Sequence, residues 1–397
     1  MNAAAGRAAV DRDGRHRRDW PDVPAPSFAS RRRPGILQIV GTLTPGGAEH
    51  LVVEMCKRLS EFTQTVCCLD DEGEWAAELH ASDIEVVALR RRSGFRPELG
   101  RRIARIAAER RIELLHCHQY SPFVYGRIAK YWNPKLKFVY TEHGRQSDGP
   151  PPWKRCLANP FLSRVDGAIV AVSEELRGYM IAARFPRGRV QVIRNGIDIG
   201  PLRTHADRRR ARRMLGLDDS TFVAATVARL DPVKDLGTLL DAFALVRRQV
   251  PRSRLVVVGT GAEYQRLAVR AARPDLAGAV LFTGFSSNVP ALLPAADVYI
   301  NSSITEGVSL TILEAMAAGV AVVATAVGGT PEVIPNGAGV LVPGRDPGRL
   351  AAAVTALAVD EPRRAALAAR GRAHVEAHFR IERMTDEYAR MYRRLLG

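Results

Sequence analysis

The sequence predicts an α/β protein made of two doubly wound, Rossmann-like domains that face one another across a cleft. Three observations carry this. From Gly35 onward, short apolar runs rich in β-branched residues alternate with amphipathic helical stretches, the pattern of parallel sheets covered by helices. The alternation stops once, in the arginine-rich polar stretch Thr204–Arg213 that follows Asn195–Pro201, and then restarts. The chain has 397 residues, more than one ordinary core accommodates, and 46% of them are hydrophobic, so two domains can each pack.

The first half offers strands at Ile36–Gly41, Thr65–Leu69, Ile84–Leu89, Leu114–Cys117, Phe138–Thr141 and Ala168–Val172. The second half offers Phe222–Ala228, Arg254–Gly259, Val280–Thr283, Asp297–Asn301, Val320–Ala324 and Gly339–Val342. A final helix, about Arg380–Leu396, carries Ile381, Met384, Tyr388, Met391, Tyr392 and Leu395 at helical spacing, a stripe that reads as core. The division is therefore a tail at 1–33, a first domain at 34–196, a second at 197–379 and a terminal helix at 380–397. The tail is rich in Arg, Asp, Pro and Ala with little to bury, and is expected to be disordered.

Net charge is +16, yet only six of 58 basic residues are lysine, and the arginines are scattered through every predicted helix. That is compositional bias rather than a nucleic-acid stripe, so no nucleic-acid partner is expected; attraction to an anionic membrane surface fits better. Cys56, Cys67, Cys68, Cys117 and Cys156 are odd in number, form no Cys-x-x-Cys pair and lie in or beside apolar segments. They read as reduced core thiols of a cytoplasmic protein. No charged-then-apolar leader opens the chain and no apolar run reaches the ~18 residues that span a bilayer. The expected location is the cytoplasm, with peripheral attachment at the inner membrane face.

The most informative segment is Glu306-Gly307-Val308-Ser309 through Glu314 to Gly319. A helix starting near Ser309 would offer free N–H groups and the positive end of its dipole to a phosphate. One glutamate precedes that end and the other sits in the second turn, on the order of 12 Å away. Such a pair suits the two ends of a ligand with phosphates in its middle, the shape of a sugar nucleotide. Gly328-Gly329-Thr330-Pro331-Glu332 follows the next strand, a turn whose glycines permit close backbone approach.

Other loops after strands add candidates. Arg229 ends a strand and Lys234 opens the next helix, so both cations can reach one diphosphate. Thr44-Pro45-Gly46-Gly47-Ala48-Glu49 either closes over a phosphate or sugar or is an ordinary tight turn. His116 and His118 share one side of a strand; without an evident third ligand they do not read as a metal pair. His118 is either an acceptor contact or a structural histidine. His143 ends a strand before a Pro-rich loop, Gly149 to Pro152, that could form a lid. Ser173 reads foremost as a helix N-cap. The only Asp-x-Asp is Asp11–Asp13 in the tail, so no metal site is expected on a diphosphate. Gly259-Thr260-Gly261 lacks the third glycine of a dinucleotide loop, which leaves nicotinamide out.

Taken in order, the Gly-Gly-Ala-Glu loop, the His-x-His strand end, Thr-Glu-His-Gly, Asn-Gly-Ile-Asp, the Arg229 and Lys234 pair and the two glutamates with seven residues between them resemble the retaining glycosyltransferases of family 4, which have the GT-B fold, over about residues 35–397. The resemblance implies that Arg229 and Lys234 hold the diphosphate of a UDP- or GDP-sugar donor and that Glu314 bonds the ribose hydroxyls. It implies that Glu306, with the backbone of Gly307, Val308 and Ser309, grips donor sugar and phosphate. Gly46 and Gly47 would approach the diphosphate from the opposite domain, and His143 would lie near the transferred sugar. Family members work without a metal or other cofactor, form an α-linkage from an α-linked donor, and return their last helix to the N-terminal domain, here 380–397. The tail has no counterpart, and Val308-Ser309 departs from the family's usual residues, which leaves the donor sugar open. No second carboxylate is evidently placed as a nucleophile, so front-face displacement is the expected mechanism.

A basic loop, Arg90 to Arg96, and a basic helix, Leu99–Arg111, lie in the acceptor-side domain, where Leu99, Ile103 and Ile106 either touch lipid or form the one core face of a solvated helix. The expected acceptor is a saccharide or a polyprenyl-linked saccharide. The rival readings are a sugar-nucleotide epimerase or hydrolase of the same fold and a nucleotide-sugar-binding protein without turnover.

Overall fold

Strands that read as unbroken apolar runs, rather than as alternations, must be covered on both faces, and parallel sheets meet that requirement. In the computed structural model, which describes residues 32–145, 147–164, 166–202 and 207–397, all six residues of the first strand are buried. Residues 1–31 of the tail expected to be disordered lie outside the described residues.

The first half runs β1 (Gly35–Val40), α1 (Gly47–Arg58), β2 (Thr63–Cys68), α2 (Ala76–His80), β3 (Glu85–Ala88), α3 (Glu98–Glu109), β4 (Ile112–His118), α4 (Tyr120–Trp132), β5 (Lys137–Glu142), α5 (Trp153–Leu162), β6 (Gly167–Ala171), α6 (Glu174–Ala182) and β7 (Val190–Val192). Its seven parallel strands are ordered β3-β2-β1-β4-β5-β6-β7. The second half runs α7 (Asp207–Met214), β8 (Phe222–Val227), α8 (Leu236–Gln249), β9 (Ser253–Val258), α9 (Tyr264–Ala271), β10 (Val280–Gly284), α10 (Val289–Leu292), β11 (Val298–Asn301), α11 (Leu310–Ala317), β12 (Ala321–Thr325), α12 (Thr330–Val333), β13 (Val340–Val342), α13 (Pro347–Val359), α14 (Glu361–His378) and α15 (Ile381–Leu396). Six parallel strands are ordered β10-β9-β8-β11-β12-β13. Both sheets are doubly wound, and all twelve expected strands are present to within two residues at either end. The thirteenth, β7, is three residues long and pairs only with β6, too short for a period to show in sequence.

The chain crosses between the halves twice, and the crossings are bonded together. Ile197 N–H donates to Phe379 O and Ile381 N–H to Ile197 O, both at 2.9 Å. A Cβ on Gly196 would lie 2.4 Å from Arg380 O, so only glycine admits this approach. After the second crossing α15 packs on the first sheet, burying Ile381, Met384, Tyr388, Met391 and Tyr392.

Of the two readings open for Leu99, Ile103 and Ile106, the lipid-facing one does not hold and the core face does. All three are buried in α3, which packs so closely on α4 that a Cβ on Gly100 would meet the Ile128 side chain. The arginine-rich stretch is likewise not all surface: Arg212 on α7 is 1% exposed. Four cysteines are buried, Cys156 is partly exposed, and all five are free thiols.

Candidate active site

Each sheet reverses its strand order once, between β1 and β4 and between β8 and β11, and the loops leaving the C-terminal ends of these strands bound a crevice where ligands bind. Gly46 and Gly47 follow β1, His118 ends β4, Arg229 and Lys234 follow β8, and Glu306 to Ser309 follow β11. His143 follows β5, the neighbour of β4. These expected site residues are therefore on loops, strand ends or first helical turns at the two switch points or beside them, while Glu314 lies within α11.

Glu306 is the most constrained. Its Oε1 accepts from Lys234 Nζ at 2.7 Å, Ser303 Oγ at 2.6 Å and Asn301 Nδ2 at 3.2 Å. Its Oε2 has no hydrogen bond among the described residues. Burial pushes the Glu306 carboxyl up, but the Lys234 ammonium and the three donors outweigh it and hold the group below the ordinary glutamate value. Lys234 is thus tied to Glu306, whereas Arg229, 64% exposed, makes a short ion pair with Asp231 at 2.6 Å and, among the described residues, keeps donors for another partner. Asn301 and Ser303 were not among the sequence candidates, because nothing in their local pattern marks them.

The loop Gly307-Val308-Ser309 leads into α11, whose N-cap Ser309 makes no side-chain cap bond to the helix. The first-turn N–H groups are thus left to another acceptor. Tyr299 OH fixes this end from below, hydrogen-bonded to Thr311 Oγ1 at 2.7 Å and to Val227 O at 3.2 Å. One turn on, the Glu314 carboxylate has neither hydrogen bond nor ion pair among the described residues, and burial pushes it up to about 7. The glycines at 328 and 329 permit a close backbone approach within the protein. A Cβ on Gly328, at φ +53°, would lie 2.0 Å from Glu306 O, and one on Gly329 would lie 1.9 Å from Gly307 O. They are the floor on which the Glu306 loop rests.

From the first half, Gly47 faces Leu310 across the crevice, 3.5 Å from a notional Cβ. Gly307 abuts the other half more closely: a Cβ there would lie 2.1 Å from His143 O. Glu49, at the third position of α1, folds back over the helix start so that a Cβ on Gly46 would touch its Oε2. Burial raises its pKa, opposed by its own backbone N–H and by Arg229 from the other half. Beside Gly328, a pocket of about 300 Å³ is lined by Arg145, Asp148, Ile304, Val327, Gly344 and Arg345. An ion pair at 2.8 Å joins Arg345 to Asp148.

His118 does not face the crevice as an acceptor contact. It is 3% exposed and both its ring nitrogens are used, Nδ1 with His143 Nε2 and Nε2 with Gln38 Oε1, each at 2.9 Å. It lies behind His143, in a chain that runs through Gln38 to Gln64 at 3.1 Å. His116 bonds Tyr392 OH and Thr141 Oγ1 in the same buried layer. Burial pushes His116 and His118 well down, and His143 down to about 4, so the trio is neutral near pH 7. Ser173 is the N-cap it was expected to be, accepting from Leu176 N at 3.1 Å. The next donors of that helix go to the other half: Glu174 N and Glu175 N donate to the Glu332 carboxylate at 3.0 and 2.9 Å.

This arrangement matches known proteins along nearly all of the described chain. Residues 45–200 match the family described as Glycosyltransferase Family 4, and residues 207–374 match Glycosyl transferases group 1. HepE from Anabaena, solved with UDP and glucose, superposes with a TM-score of 0.80 at 23% identity, covering 91% of this chain and all of that one. The lipopolysaccharide core biosynthesis mannosyltransferase LpsB of Rhizobium meliloti is 31% identical over 66% of this chain and 73% of its own. The D-inositol 3-phosphate glycosyltransferase of Mycobacterium avium is 31% identical over 72% of this chain and 70% of its own. With both sheets, both switch points and both family segments in place, the chain belongs to the group 1, family 4 glycosyltransferases of the GT-B fold.

Proposed function

We propose that the chain is a retaining hexosyltransferase that moves a sugar from a UDP- or GDP-sugar to a saccharide or lipid-linked saccharide in glycoconjugate assembly. The observation that carries this is the meeting of Arg229, the Lys234–Glu306 pair and the open N-terminus of α11 with Gly46, Gly47 and His143 of the opposite sheet. In this reading the donor diphosphate lies between Arg229 and the α11 end, with Lys234 beside it, and Glu314 takes the ribose hydroxyls. The donor sugar lies between Glu306, Gly307 and His143. Charge that builds on the departing diphosphate meets fixed cations and N–H groups that need no reorganisation, a contribution of ~2.7–4 kcal/mol for one well-placed donor. Those groups take the place of a divalent cation, and no cofactor is needed. The leaving phosphate helps remove the acceptor proton on the same face, which retains the configuration.

The acceptor enters through the pocket beside Gly328, whose arginines suit an anionic or phosphorylated saccharide. Two relatives, the D-inositol 3-phosphate glycosyltransferase and the lipopolysaccharide core mannosyltransferase, support that class. Work at an anionic membrane surface, on the cytoplasmic side, belongs to the same reading; no helix among the described residues is long and apolar enough to cross a bilayer.

The test is to incubate the protein with UDP- and GDP-sugars, with and without a pool of lipid-linked acceptors and with EDTA, and to follow nucleotide release and product anomer. Acceptor-dependent release of an α-linked product that persists in EDTA is expected. Full donor turnover without acceptor would indicate a hydrolase or epimerase, binding without turnover a non-catalytic protein, and loss of activity in EDTA would remove metal independence.

A further inference from the structure

Surface helices normally turn their apolar stripe inward and their polar face to water. Helix α5 is the reverse. Trp153, Leu157 and Phe161 stand at positions i, i+4 and i+8 on its outer face and are 67%, 64% and 66% exposed. Its inner anchor is polar: the buried Asn159 donates from Nδ2 to Ala183 O at 2.7 Å and accepts from Tyr120 OH at 2.9 Å. Arg155 is also turned inward, 4.1 Å from the Tyr120 ring centroid.

Cations frame the stripe. Lys154 lies over the Trp153 ring at 5.8 Å and Arg164 over the Phe161 ring at 5.4 Å, so a positive charge and an aromatic ring sit side by side at each end. The sequence from Trp153 to Leu162 contains no Asp or Glu. Aromatic rings paired with lysine or arginine, with a leucine between them, match the boundary layer of a bilayer: rings and aliphatic groups enter below the headgroups while cations meet lipid phosphates. The helix also belongs to the connection that leaves β5 through His143, and the ten residues from His143 to Trp153 span at most ~33 Å. A chain lying on a bilayer through α5 would hold the His143 side of the crevice close to lipid-borne acceptors.

We propose that the outward face of α5, Trp153, Leu157 and Phe161 between Lys154 and Arg164, docks the protein on an anionic lipid surface. The proposal rests on the reading that the enzyme works at a membrane, and it moves the contact from α3, whose apolar face is buried, to α5.

Flotation of the full chain with vesicles of phosphatidylcholine alone and with about 30% phosphatidylglycerol tests it. Wild type is expected to float with the anionic vesicles, and the bound fraction of W153S/L157S/F161S to fall at least about tenfold. K154E/R164E should lose the preference for anionic lipid, and Val359→Ser, an exposed apolar change on α13, should have no effect. An unchanged melting temperature and nucleotide-induced thermal shift would show that the triple variant is folded. If wild type and the triple variant float equally, the α5 surface is wrong while the membrane reading stands. If wild type stays at the bottom, both fall. If light scattering shows self-association that the triple variant abolishes, without vesicle binding, the stripe is a protein contact and the proposal fails.

Discussion

His118 Nδ1 and His143 Nε2 are 2.9 Å apart, and the proton between them belongs to His143. The direction is set at a distance. Leu59 O can only accept, so Gln64 presents Nε2 to it and turns Oε1 to Gln38 Nε2. Gln38 Oε1 is left to accept from His118 Nε2–H, which makes His118 Nδ1 an acceptor and His143 Nε2 a donor. His143 Nδ1 is then an unprotonated lone pair, buried and without a partner among the described residues. On the proposed reading it accepts from a substrate hydroxyl. Gln38→Met, which removes the acceptor that fixes the relay, should lower kcat by about tenfold or more while leaving nucleotide affinity within about threefold. Gln38→Glu, which keeps an acceptor toward His118, should recover most of the loss. Equal damage by both variants would make Gln38 merely structural.

The Lys234–Glu306 pair predicts two separable losses. Glu306→Gln keeps the shape but discards the charge, and should reduce kcat by about 10²–10³ with a small change in folding. Lys234→Met leaves a buried carboxylate without its cation, which costs about 3–5 kcal/mol of stability by denaturant unfolding besides activity. The sign of the pH dependence follows from the lowered pKa of Glu306. Its stabilising contribution is complete above the ordinary glutamate value of 4.5 and is lost as pH falls through the lower folded value. Unfolding curves of Glu306→Gln should therefore be flatter than wild type in that acid window.

Glu332 is a clasp between the halves. Its carboxylate occupies the positive end of α6 while Ser173 caps the remaining donor, so the helix stays formed if Glu332 is lost. A contact of about 1.4 kcal/mol shifts an open–closed equilibrium tenfold. Glu332→Ala should raise donor KM by about three- to tenfold and enlarge the radius of gyration in X-ray scattering, with helix content by circular dichroism unchanged. An identical scattering curve and unchanged KM would remove the clasp.

The strands were legible because burial on both faces writes itself as unbroken Val, Ile and Ala runs, such as Val320–Ala324. Arg229 and Glu306 were legible because each follows the end of a strand, and Glu314 because its spacing from Glu306 places it in the second turn of the helix that starts between them. The Gln64–Gln38–His118–His143 relay was not, since its members lie in β2, β1 and β4 and after β5, and only the sheet order makes them neighbours. Periodicity also failed to say which way a stripe points. Leu99, Ile103 and Ile106 on α3 and Trp153, Leu157 and Phe161 on α5 have similar helical spacing, yet the first set is buried and the second exposed. What decides is the neighbouring surface, α4 for the first and the polar anchor Asn159 for the second.

Arg212 illustrates the same limit in a stretch that reads only as arginine-rich and polar. Its guanidinium donates to the carbonyls of Asp218, Asp219, Thr221 and Ala295 and pairs with Asp297 at 2.9 Å. Arg212→Met strands those acceptors and the Asp297 charge, and is expected to cost about 3–5 kcal/mol. Arg212→Lys should recover little, because one ammonium cannot reach carbonyls that a planar fork spans. Chemical denaturation of the two variants checks this, and a loss under about 1 kcal/mol for Arg212→Met would show that the buried network is not structural.

The carboxyl of Glu314 is shifted in the opposite sense to that of Glu306. Burial raises its carboxyl to about 7, so the group is largely neutral at pH 6 and largely charged at pH 8. For folding alone, the raised value means that its stabilising contribution is present below 4.5 and is lost as pH rises through about 7. For a nucleotide the balance reverses, because ribose hydroxyls donate best to a carboxylate, so binding favours the charged form and expels a proton. Affinity for UDP or GDP should then rise about five- to tenfold between pH 6 and pH 8, beyond whatever the phosphates themselves contribute. Calorimetric titrations of wild type and Glu314→Gln at both pH values isolate the effect, since the phosphate titration is common to the two proteins. Glu314→Gln should bind more weakly at pH 8 and with a flatter pH dependence. If the two proteins show the same slope, Glu314 does not meet the ribose, and the nucleoside must lie elsewhere along α11.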